Sequence, residues 1–290
     1  MSFISYLING ISLGSVYAII ALGYTMVYGI AKMLNFAHGD VIMVGAYIVL
    51  TCVTGAGLNP IVAIIVATIA CTIFGIVIEG VAYRPLRNAA SPLAVLITAI
   101  GVSYLLQNLA LLIFGSNTKS FPEVIKLPNL KLAGGKLTIT GTTILTIVLC
   151  IVIMAGLMLF INKTKAGQAM LAVSEDKGAA QLMGINVNKT ISMTFAIGSA
   201  LAAIAGVLLC SAYPSLTPYT GSMPGIKAFV AAVFGRIWRN WFRTGSTDWR
   251  NYPWNHRDPR KSIHFLTACR CNRICSSDRS TACKTYWNSW

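Results

Sequence analysis

Residues 61–83 read IVAIIVATIACTIFGIVIEGVAY, and Glu79 is the one charged side chain among them. A helix needs roughly 20 apolar residues to cross the hydrocarbon core of a bilayer. Irregular backbone leaves polar groups unpaired in lipid, so a segment of this composition is expected to cross as a helix. The stretch therefore predicts a transmembrane helix and places the chain among membrane proteins.

Comparable apolar runs recur on both sides of this stretch. The chain is 56% hydrophobic and 11% charged, whereas a typical soluble domain has about 25% charged residues. The predicted spans are Ile11–Ala31, Val41–Leu58, Ile61–Tyr83, Pro92–Phe114, Thr142–Ile161 and Ile191–Tyr213, and a shorter run at Met223–Gly235 begins a seventh. The predicted fold is an all-α polytopic transmembrane bundle over residues 1–235, with six or seven spans.

Basic residues in short loops predict which side of the membrane each loop faces. Residues 84–87 (RPLR) and 163–165 (KTK) are basic and lie two spans apart, so both are expected in the cytoplasm. Lys32 falls on the same side, which puts the N-terminus outside. The first run lacks the basic start of a signal peptide, so it is interpreted as an uncleaved span. Lys131–Thr140 predicts a small β-hairpin on the outer face.

Small residues, which let helices approach closely in lipid, form two candidate packing faces. Gly10 and Gly14 make a Gly-x3-Gly pair in the first span. A second face lies in the sixth span and consists of Gly198, Ser199, Ala202, Ala203 and Gly206. Helix packing is a sufficient explanation for both.

The composition changes sharply after Gly235. Residues 1–235 carry 17 charged side chains, whereas residues 236–290 carry 14 and all six tryptophans. Over half of the +15 net charge lies in this tail, so a basic nucleic-acid or zinc protein is supported by the tail alone. The first explanation for the tail is a basic, Cys-bearing cytoplasmic domain that binds zinc. The spacing of its candidate zinc ligands fits no common zinc site. These ligands are His264, Cys269, Cys271, Cys275 and Cys283. A disordered basic tail is the second explanation, but such tails are poor in Trp and Cys.

A shift of reading frame is the third explanation for the tail. Read one base later, every Trp codon becomes a Gly codon, and Cys codons become Ala or Val codons. Residues 260–265 can then be read as AKAYIS, and residues 284–289 as KPTGIL. We therefore interpret residues 236–290 as an aberrant, frameshifted and unfolded tail that replaces the last spans. Sequencing the DNA across Gly235 tests this, and an unshifted open frame contradicts it.

A polar segment, residues 35–40 (NFAHGD), separates the first two predicted spans. Asn35 or Asp40 is suited to cap a helix, and Gly39 permits a turn. His38 is the one histidine before Gly235. The segment is interpreted either as a polar break between two helices or as part of a substrate path, because polar groups at membrane depth tend to be functional.

The loop Lys163–Lys189 has a helix-forming composition over Ala166–Met183. One interpretation is a surface helix that lies on the membrane. The other is a docking helix whose apolar side chains fit a groove in a cytoplasmic partner. Docking is favoured, because a mostly helical loop of this length between spans needs a reason.

The sequence before Gly235 lacks the motifs that are typical of several other classes of protein. No Gly-x4-Gly-Lys-Ser/Thr loop is present, so the chain is not expected to bind ATP through a P-loop. No catalytic arrangement, cofactor motif or metal motif is apparent before Gly235, so neither an enzyme nor a cofactor is expected. Acidic residues are nearly absent from the predicted spans, which argues against a proton- or sodium-coupled carrier. Glu79 is expected near the cytoplasmic end, beside Arg84 or Arg87.

Taken together, several stretches resemble the permease subunits of branched-chain amino acid ABC importers, of the LivH type. The most specific is residues 23–29 (GYTMVYG), which continues through Asn35–Asp40 to residues 45–47 (GAY). Residues 172–186 are similar to the family's ATPase-coupling segment, and residues 224–229 (PGIKAF) to its penultimate region. The resemblance runs from about Ile8 to Gly235.

The resemblance implies a multi-pass protein of the bacterial inner membrane that imports branched-chain or related amino acids. It implies four kinds of partner: a second homologous permease, two cytoplasmic ATPases, an extracytoplasmic solute-binding protein and the lipid bilayer, with no nucleic acid. It implies coupling to the ATPases through Glu175, Ala179, Ala180 and Gly184. It places the translocation path near Asn35, His38, Gly39 and Asp40. The alternatives are a permease for urea or short amides and, less favoured, an ion-coupled secondary carrier.

Overall fold

The computed structural model describes residues 2–88, 92–122, 130–132 and 137–233. The tail after Gly235, and with it the frameshift hypothesis, lies outside the described residues. The described part is largely helical, with four short strands. Nine α-helices follow in chain order: α1 Ser2–Ala31, α2 His38–Thr54, α3 Pro60–Ile78, α4 Pro92–Phe114, α5 Gly141–Lys163, α6 Lys165–Glu175, α7 Lys177–Leu182, α8 Val187–Ala212 and α9 Ser222–Val233.

Five of the helices in the described part are long and apolar enough to cross a membrane. They are α1, α3, α4, α5 and α8, and they agree with five of the predicted spans. The second predicted span, Val41–Leu58, is wrong in its limits, because α2 begins at His38 and has 17 residues. The seventh run begins a short helix, α9, which ends at Val233 within the described residues.

Helix α3 continues past Ile78 into a π-helical turn, Glu79–Tyr83, and then into a 3-10 turn, Pro85–Asn88. Asn59 caps the start of α3, because its side chain accepts a hydrogen bond from the Ile61 amide at 3.1 Å. Pro60 then occupies the first helical position, where its missing N–H costs nothing. The wide final turn sets which side chains are presented at the end of α3.

Helix α8 lies at the centre of the bundle and packs against α1, α2 and α3. Its predicted small-residue face makes these contacts. A Cβ on Gly45 of α2 would lie 2.9 Å from the Cα of Ala203, and a Cβ on Gly198 would lie 3.0 Å from Val27 of α1. The prediction of a packing face on this helix is therefore confirmed.

The Gly10–Gly14 pair of α1 behaves differently. A Cβ on either glycine would meet nothing within 4 Å, so the expected helix packing is absent among the described residues. The pair instead leaves an open strip along α1.

The strands form two small antiparallel sheets. β1 (Lys119–Ser120) pairs with β4 (Ser215–Leu216), with Lys119 opposite Leu216. β2 (Leu130–Leu132) pairs with β3 (Leu137–Ile139), with Lys131 opposite Thr138. The second sheet confirms the predicted hairpin, whose Gly134-Gly135 turn lies outside the described residues.

Candidate functional site

A cavity of about 380 Å³, here called the polar cavity, lies between α2, α4 and α9. Ser103 marks its depth, because this residue is at the middle of the 22-residue apolar span Leu93–Phe114 of α4. The cavity therefore lies near the middle of this apolar span. Its lining includes Tyr24, Phe36, Asp40, Ser103, Gln107 and Ser222.

Asp40, in the first turn of α2, is the one carboxylate among the described residues that line the polar cavity. It accepts hydrogen bonds from the Ser103 hydroxyl and, at 3.0 Å, from Nε2 of Gln107. Gln107 Nε2 also lies 3.1 Å from the hydroxyl oxygen of Ser222 on α9. A carboxylate offers about four acceptor positions, so these two bonds leave Asp40 able to accept from a further donor.

A buried acid at this depth corrects one argument made from the sequence. Mid-membrane acids were expected to be nearly absent, because Asp40 was counted as part of a loop. In the structure Asp40 belongs to α2 and is only 1% exposed. The supposed absence of such acids therefore does not separate an ATP-driven permease from an ion-coupled carrier.

Of the four residues predicted to lie near a path, Asp40 alone lines the polar cavity. Asn35 is buried and accepts a hydrogen bond from the Tyr83 hydroxyl at 2.9 Å, which ties this segment to the π-helical turn. His38 is buried with its ring edge-on to Tyr24, 5.7 Å between centroids. Its Nε2 has no hydrogen-bond partner among the described residues.

Gly39 serves close packing between α2 and α9. A Cβ at this position would lie 2.6 Å from the carbonyl oxygen of Gly221 and 3.2 Å from the Cα of Gly225. This contact brings the start of α9, and with it Ser222, to the polar cavity. Gly39 therefore shapes the site without lining it.

Sequence reasoning missed Ser103, Gln107 and Ser222. Ser103 and Gln107 are four residues apart, which places them on the same face of a helix. Two polar residues at this spacing inside an apolar span were a usable signal. Ser222 carried no such signal, because its position depends on the fold of residues 214–221.

A second polar group lies at the end of α3. Glu79 is 1% exposed and accepts hydrogen bonds from Arg87 and, at 2.5 Å, from the Ser192 hydroxyl of α8. The expected pairing of Glu79 with Arg87 is confirmed. Burial lowers the pKa of the Arg87 guanidinium, and the charge of Glu79 acts in the opposite direction.

The loop predicted as one helix over Ala166–Met183 is two helices, α6 and α7. The break falls at Asp176, whose backbone is extended. Its carboxylate accepts hydrogen bonds from the amides of Gly178 and Ala179, at 2.7 and 3.2 Å, and so caps α7. Aspartate is favoured at the N-cap of a helix, so Asp176 ends α6 and begins α7. Residues 165–184, which include α6 and α7, are called the coupling segment below.

The four predicted coupling residues differ in exposure. Glu175, Ala179 and Gly184 are exposed, and Gly184 has a φ of +83°, which favours glycine. Ala180 is only 4% exposed and packs in the hydrophobic core. The Ala180 side chain therefore packs against the transmembrane bundle, and its predicted part in coupling stays a prediction.

Two large apolar side chains are exposed beside these residues. Leu182 is 91% exposed and Met183 is 82% exposed. They lie at the end of α7, where Ala180 anchors the helix to the bundle. Exposed apolar side chains on a helix that packs against the bundle are typical of a docking surface.

Two lysines join the coupling segment to the end of α1. Lys177 Nζ donates to the carbonyl of Ala31 at 2.9 Å, and Lys32 Nζ donates to the carbonyl of Glu175 at 3.5 Å. Burial is the main cause that lowers the pKa of Lys177, and the charges of Lys32 and Arg87 add to it. Lys32, which follows the last residue of α1, has a φ of +56°. Residues 31–32 therefore connect the coupling segment with the stretch that contains Asn35 and Asp40.

Comparison with known proteins supports the resemblance noted in the sequence. The model of a family described as "Branched-chain amino acid transport system / permease component" matches residues 6–245. BraD of Pseudomonas aeruginosa, a high-affinity branched-chain amino acid transport system permease protein, is 44% identical over 248 residues, which is 81% of this chain and 80% of BraD.

LivH of Escherichia coli, named in the same way, is 40% identical over 245 residues, or 81% of this chain and 79% of LivH. A probable branched-chain amino acid transport permease protein of Methanocaldococcus jannaschii is 33% identical over 227 residues, or 76% of this chain and 70% of that protein. No solved structure gives a significant match. The helical bundle, the extent of the family match and these identities show that the chain belongs to the family of permease components of branched-chain amino acid transport systems.

Proposed function

We propose that this chain forms part of the translocation path of an ATP-driven importer for branched-chain amino acids in the bacterial inner membrane. The observation that carries the proposal is the polar cavity at mid-depth of an apolar bundle. Polar side chains are costly at that depth and commonly mark a substrate route. Family membership gives the class of transport system in which this route operates.

The path passes the polar cavity, where Asp40, Gln107, Ser103 and Ser222 replace part of the water that a polar solute loses on entering the membrane. Helices α2, α4 and α9 surround the cavity, so a relative movement of α4 or α9 changes its shape. The chain performs no covalent chemistry in this role. Asp40 and its partners bind and release the solute by hydrogen bonds and charge.

The partners we propose are a second homologous permease, two cytoplasmic ATPases and an extracytoplasmic solute-binding protein. The exposed side chains Leu182 and Met183 support an ATPase partner, because they extend a docking surface from the end of the bundle. Glu175 and Ala179 lie on the same exposed segment. Hydrolysis of ATP then takes place in the partner chains, and this chain responds to it.

Coupling follows the contacts at the end of α1. An ATPase that moves α7 also pulls on Lys177, which holds the Ala31 carbonyl. From Ala31 the chain reaches Asp40 in nine residues, through the Asn35–Tyr83 hydrogen bond and the Gly39 contact. Movement at the docking surface therefore changes the position of the start of α2, where the cavity carboxylate lies.

Uptake by a purified complex tests the function. The complex is isolated through an affinity tag on this chain and reconstituted in vesicles with the binding protein outside and ATP inside. We expect uptake of radiolabelled leucine, isoleucine or valine that stops without ATP. Uptake that persists without ATP contradicts the proposal, and uptake of urea in place of these amino acids shows a different substrate class.

The docking surface is tested by Leu182→Asp. A charge at a buried apolar contact of an interface is expected to cost at least about 2 kcal/mol, or about 30-fold in affinity. Recovery of the ATPase subunits with the tagged chain is measured. Leu58→Asp is the matched control, because Leu58 is an exposed leucine in the turn between α2 and α3. Equal ATPase recovery with both variants contradicts docking at α7.

We further propose that residues 236–290 are translated out of frame. The family match ends at residue 245, which leaves most of this tail unmatched. Restoring the frame is expected to add two hydrophobic runs after Gly235. DNA sequence across codon 235 decides the matter, and a continuous unshifted frame contradicts the proposal.

A further inference from the structure

Lys227 on α9 is an exposed cation at membrane depth. Its Nζ lies over the ring of Tyr17 on α1, 5.7 Å from the ring centroid. Tyr17 is ten residues after the start and fourteen before the end of the apolar span Leu7–Ala31. At 1.5 Å per residue these are about 15 Å and about 21 Å, so the ammonium group lies near the centre of the bilayer.

No carboxylate neutralises this ammonium in the described part of the chain, where Arg87–Glu79 is the one ion pair. A charged side chain at the bilayer centre is costly unless it faces water or an opposite charge. The face of the Tyr17 ring attracts the cation but supplies only part of what water supplies. The position of Lys227 therefore requires water or an anion beside it.

Among the described residues, the surface of α1 next to Lys227 is open. Gly10, Gly14 and Tyr17 follow one another at intervals of four and three, so they share one face of α1. A Cβ on Gly10 or Gly14 would meet nothing within 4 Å. Within the described part of the chain, the ammonium thus lies at the end of an open strip of α1.

Lys227 is also next in sequence to the lining of the polar cavity. Gly225 and Ile226 of α9 line this cavity together with Asp40. Asp40 in the cavity lining and Lys227, which follows the lining residue Ile226 on α9, carry opposite charges. An α-amino acid carries the complementary pair, an ammonium group and a carboxylate on one carbon atom.

We propose that Lys227 binds the carboxylate group of the transported amino acid in the membrane-spanning part of the path, while Asp40 faces the ammonium group. This inference rests on the proposed function and assigns specificity within it. Lys227 contributes charge, and Tyr17 positions its side chain. Branched apolar side chains of the substrate then need only apolar contact, which the surrounding bundle offers.

The test uses the full complex in vesicles, as above, with Lys227→Met and Lys227→Arg. Methionine keeps a long apolar stem and removes the charge, whereas arginine keeps the charge. We expect ATP-dependent leucine uptake to fall about tenfold or more in Lys227→Met, as for loss of a charge-assisted hydrogen bond, and to stay within about threefold in Lys227→Arg. Lys119→Met is the matched control, because Lys119 lies over the Phe114 ring at 5.4 Å, at the end of α4.

Each outcome separates the possibilities. Uptake by the original complex with equal uptake by Lys227→Met overturns the inference and leaves the proposed function standing. Loss of the second permease or of the ATPases from purified Lys227→Met also overturns it, because the lysine then binds a carboxylate of a partner chain. Absence of branched-chain amino acid uptake by the original complex overturns the proposed function itself.

Discussion

Helices α5 and α8 are both long and apolar, yet α8 is surrounded by the bundle and α5 lies at its edge. In an apolar 18-residue window of each helix, 78% of the residues are buried in α8 and 11% in α5. Side chains such as Ile151 and Met158 of α5 remain exposed, whereas α8 packs against α1, α2 and α3.

The difference lies in the size of the side chains rather than in their apolar character. Lipid solvates large apolar side chains as well as a protein core does, so burial in a membrane protein depends on close packing. Gly198, Ala203 and Gly206 let α8 approach its neighbours, and α5 has larger residues at most positions. Small residues therefore indicate the centre of this bundle better than hydropathy does.

The strongest test of this contrast adds a large side chain on α2, where it packs against α8, and another on α5. Gly45→Leu puts a Cβ 2.9 Å from the Cα of Ala203 on α8, so backbone has to move. We expect a loss of more than about 3 kcal/mol, the upper end for overpacking, measured as thermal unfolding in detergent. Gly156→Leu on α5, where a Cβ meets nothing within 4 Å, is expected to unfold like the original protein. Equal losses contradict the contrast.

An intermediate effect is expected from removing apolar atoms. Ile191→Ala on α8 empties a position that is 1% exposed and is expected to cost about 2–3 kcal/mol in unfolding free energy, since neighbours cannot fill the space. Ile151→Ala on α5 changes a side chain that is 62% exposed, and detergent or lipid replaces its contacts. Detergent-titrated unfolding followed by circular dichroism measures both, and a larger loss for Ile151→Ala refutes the assignment of α8 to the centre.

The smallest effect concerns the first residues of the two helices. Asn186 caps α8, because its side chain accepts from the Lys189 amide at 3.1 Å, whereas Thr140 before α5 makes no such bond. Asn186→Ala is expected to cost about 1 kcal/mol and Thr140→Ala close to nothing. The thermal unfolding midpoints of the two variants measure this difference. Equal midpoints contradict the prediction.

Much of the fold followed from the sequence, because apolar runs of span length have few alternatives in lipid. The limits of α2 did not follow, since His38, Gly39 and Asp40 look like a polar loop in the sequence and form the first turn of a helix. The packing of Gly39 on Gly221 and Gly225 stabilises that turn. This is a contact between distant segments that no local pattern contains.

The candidate site was predictable only in part. Asp40 stood out as an acid between apolar runs, but its partners Gln107 and Ser222 come from helices that the fold brings together. Ala180 looked like its neighbour Ala179 in the sequence. The cap at Asp176 sets the orientation of α7 and turns one alanine inward and the other outward.

The π-helical turn at Glu79–Tyr83 has a further consequence. A π turn holds one more residue than an α turn, so it shifts the angular phase of every side chain that follows it. Before the turn, Ile65 and Ile69 are exposed on the outside of α3. Tyr83, the last residue of the turn, donates a hydrogen bond to Asn35. A single helical wheel drawn through residues 60–83 therefore mixes two faces, and a one-residue deletion inside the turn would rotate Tyr83 away from Asn35 by about 100°.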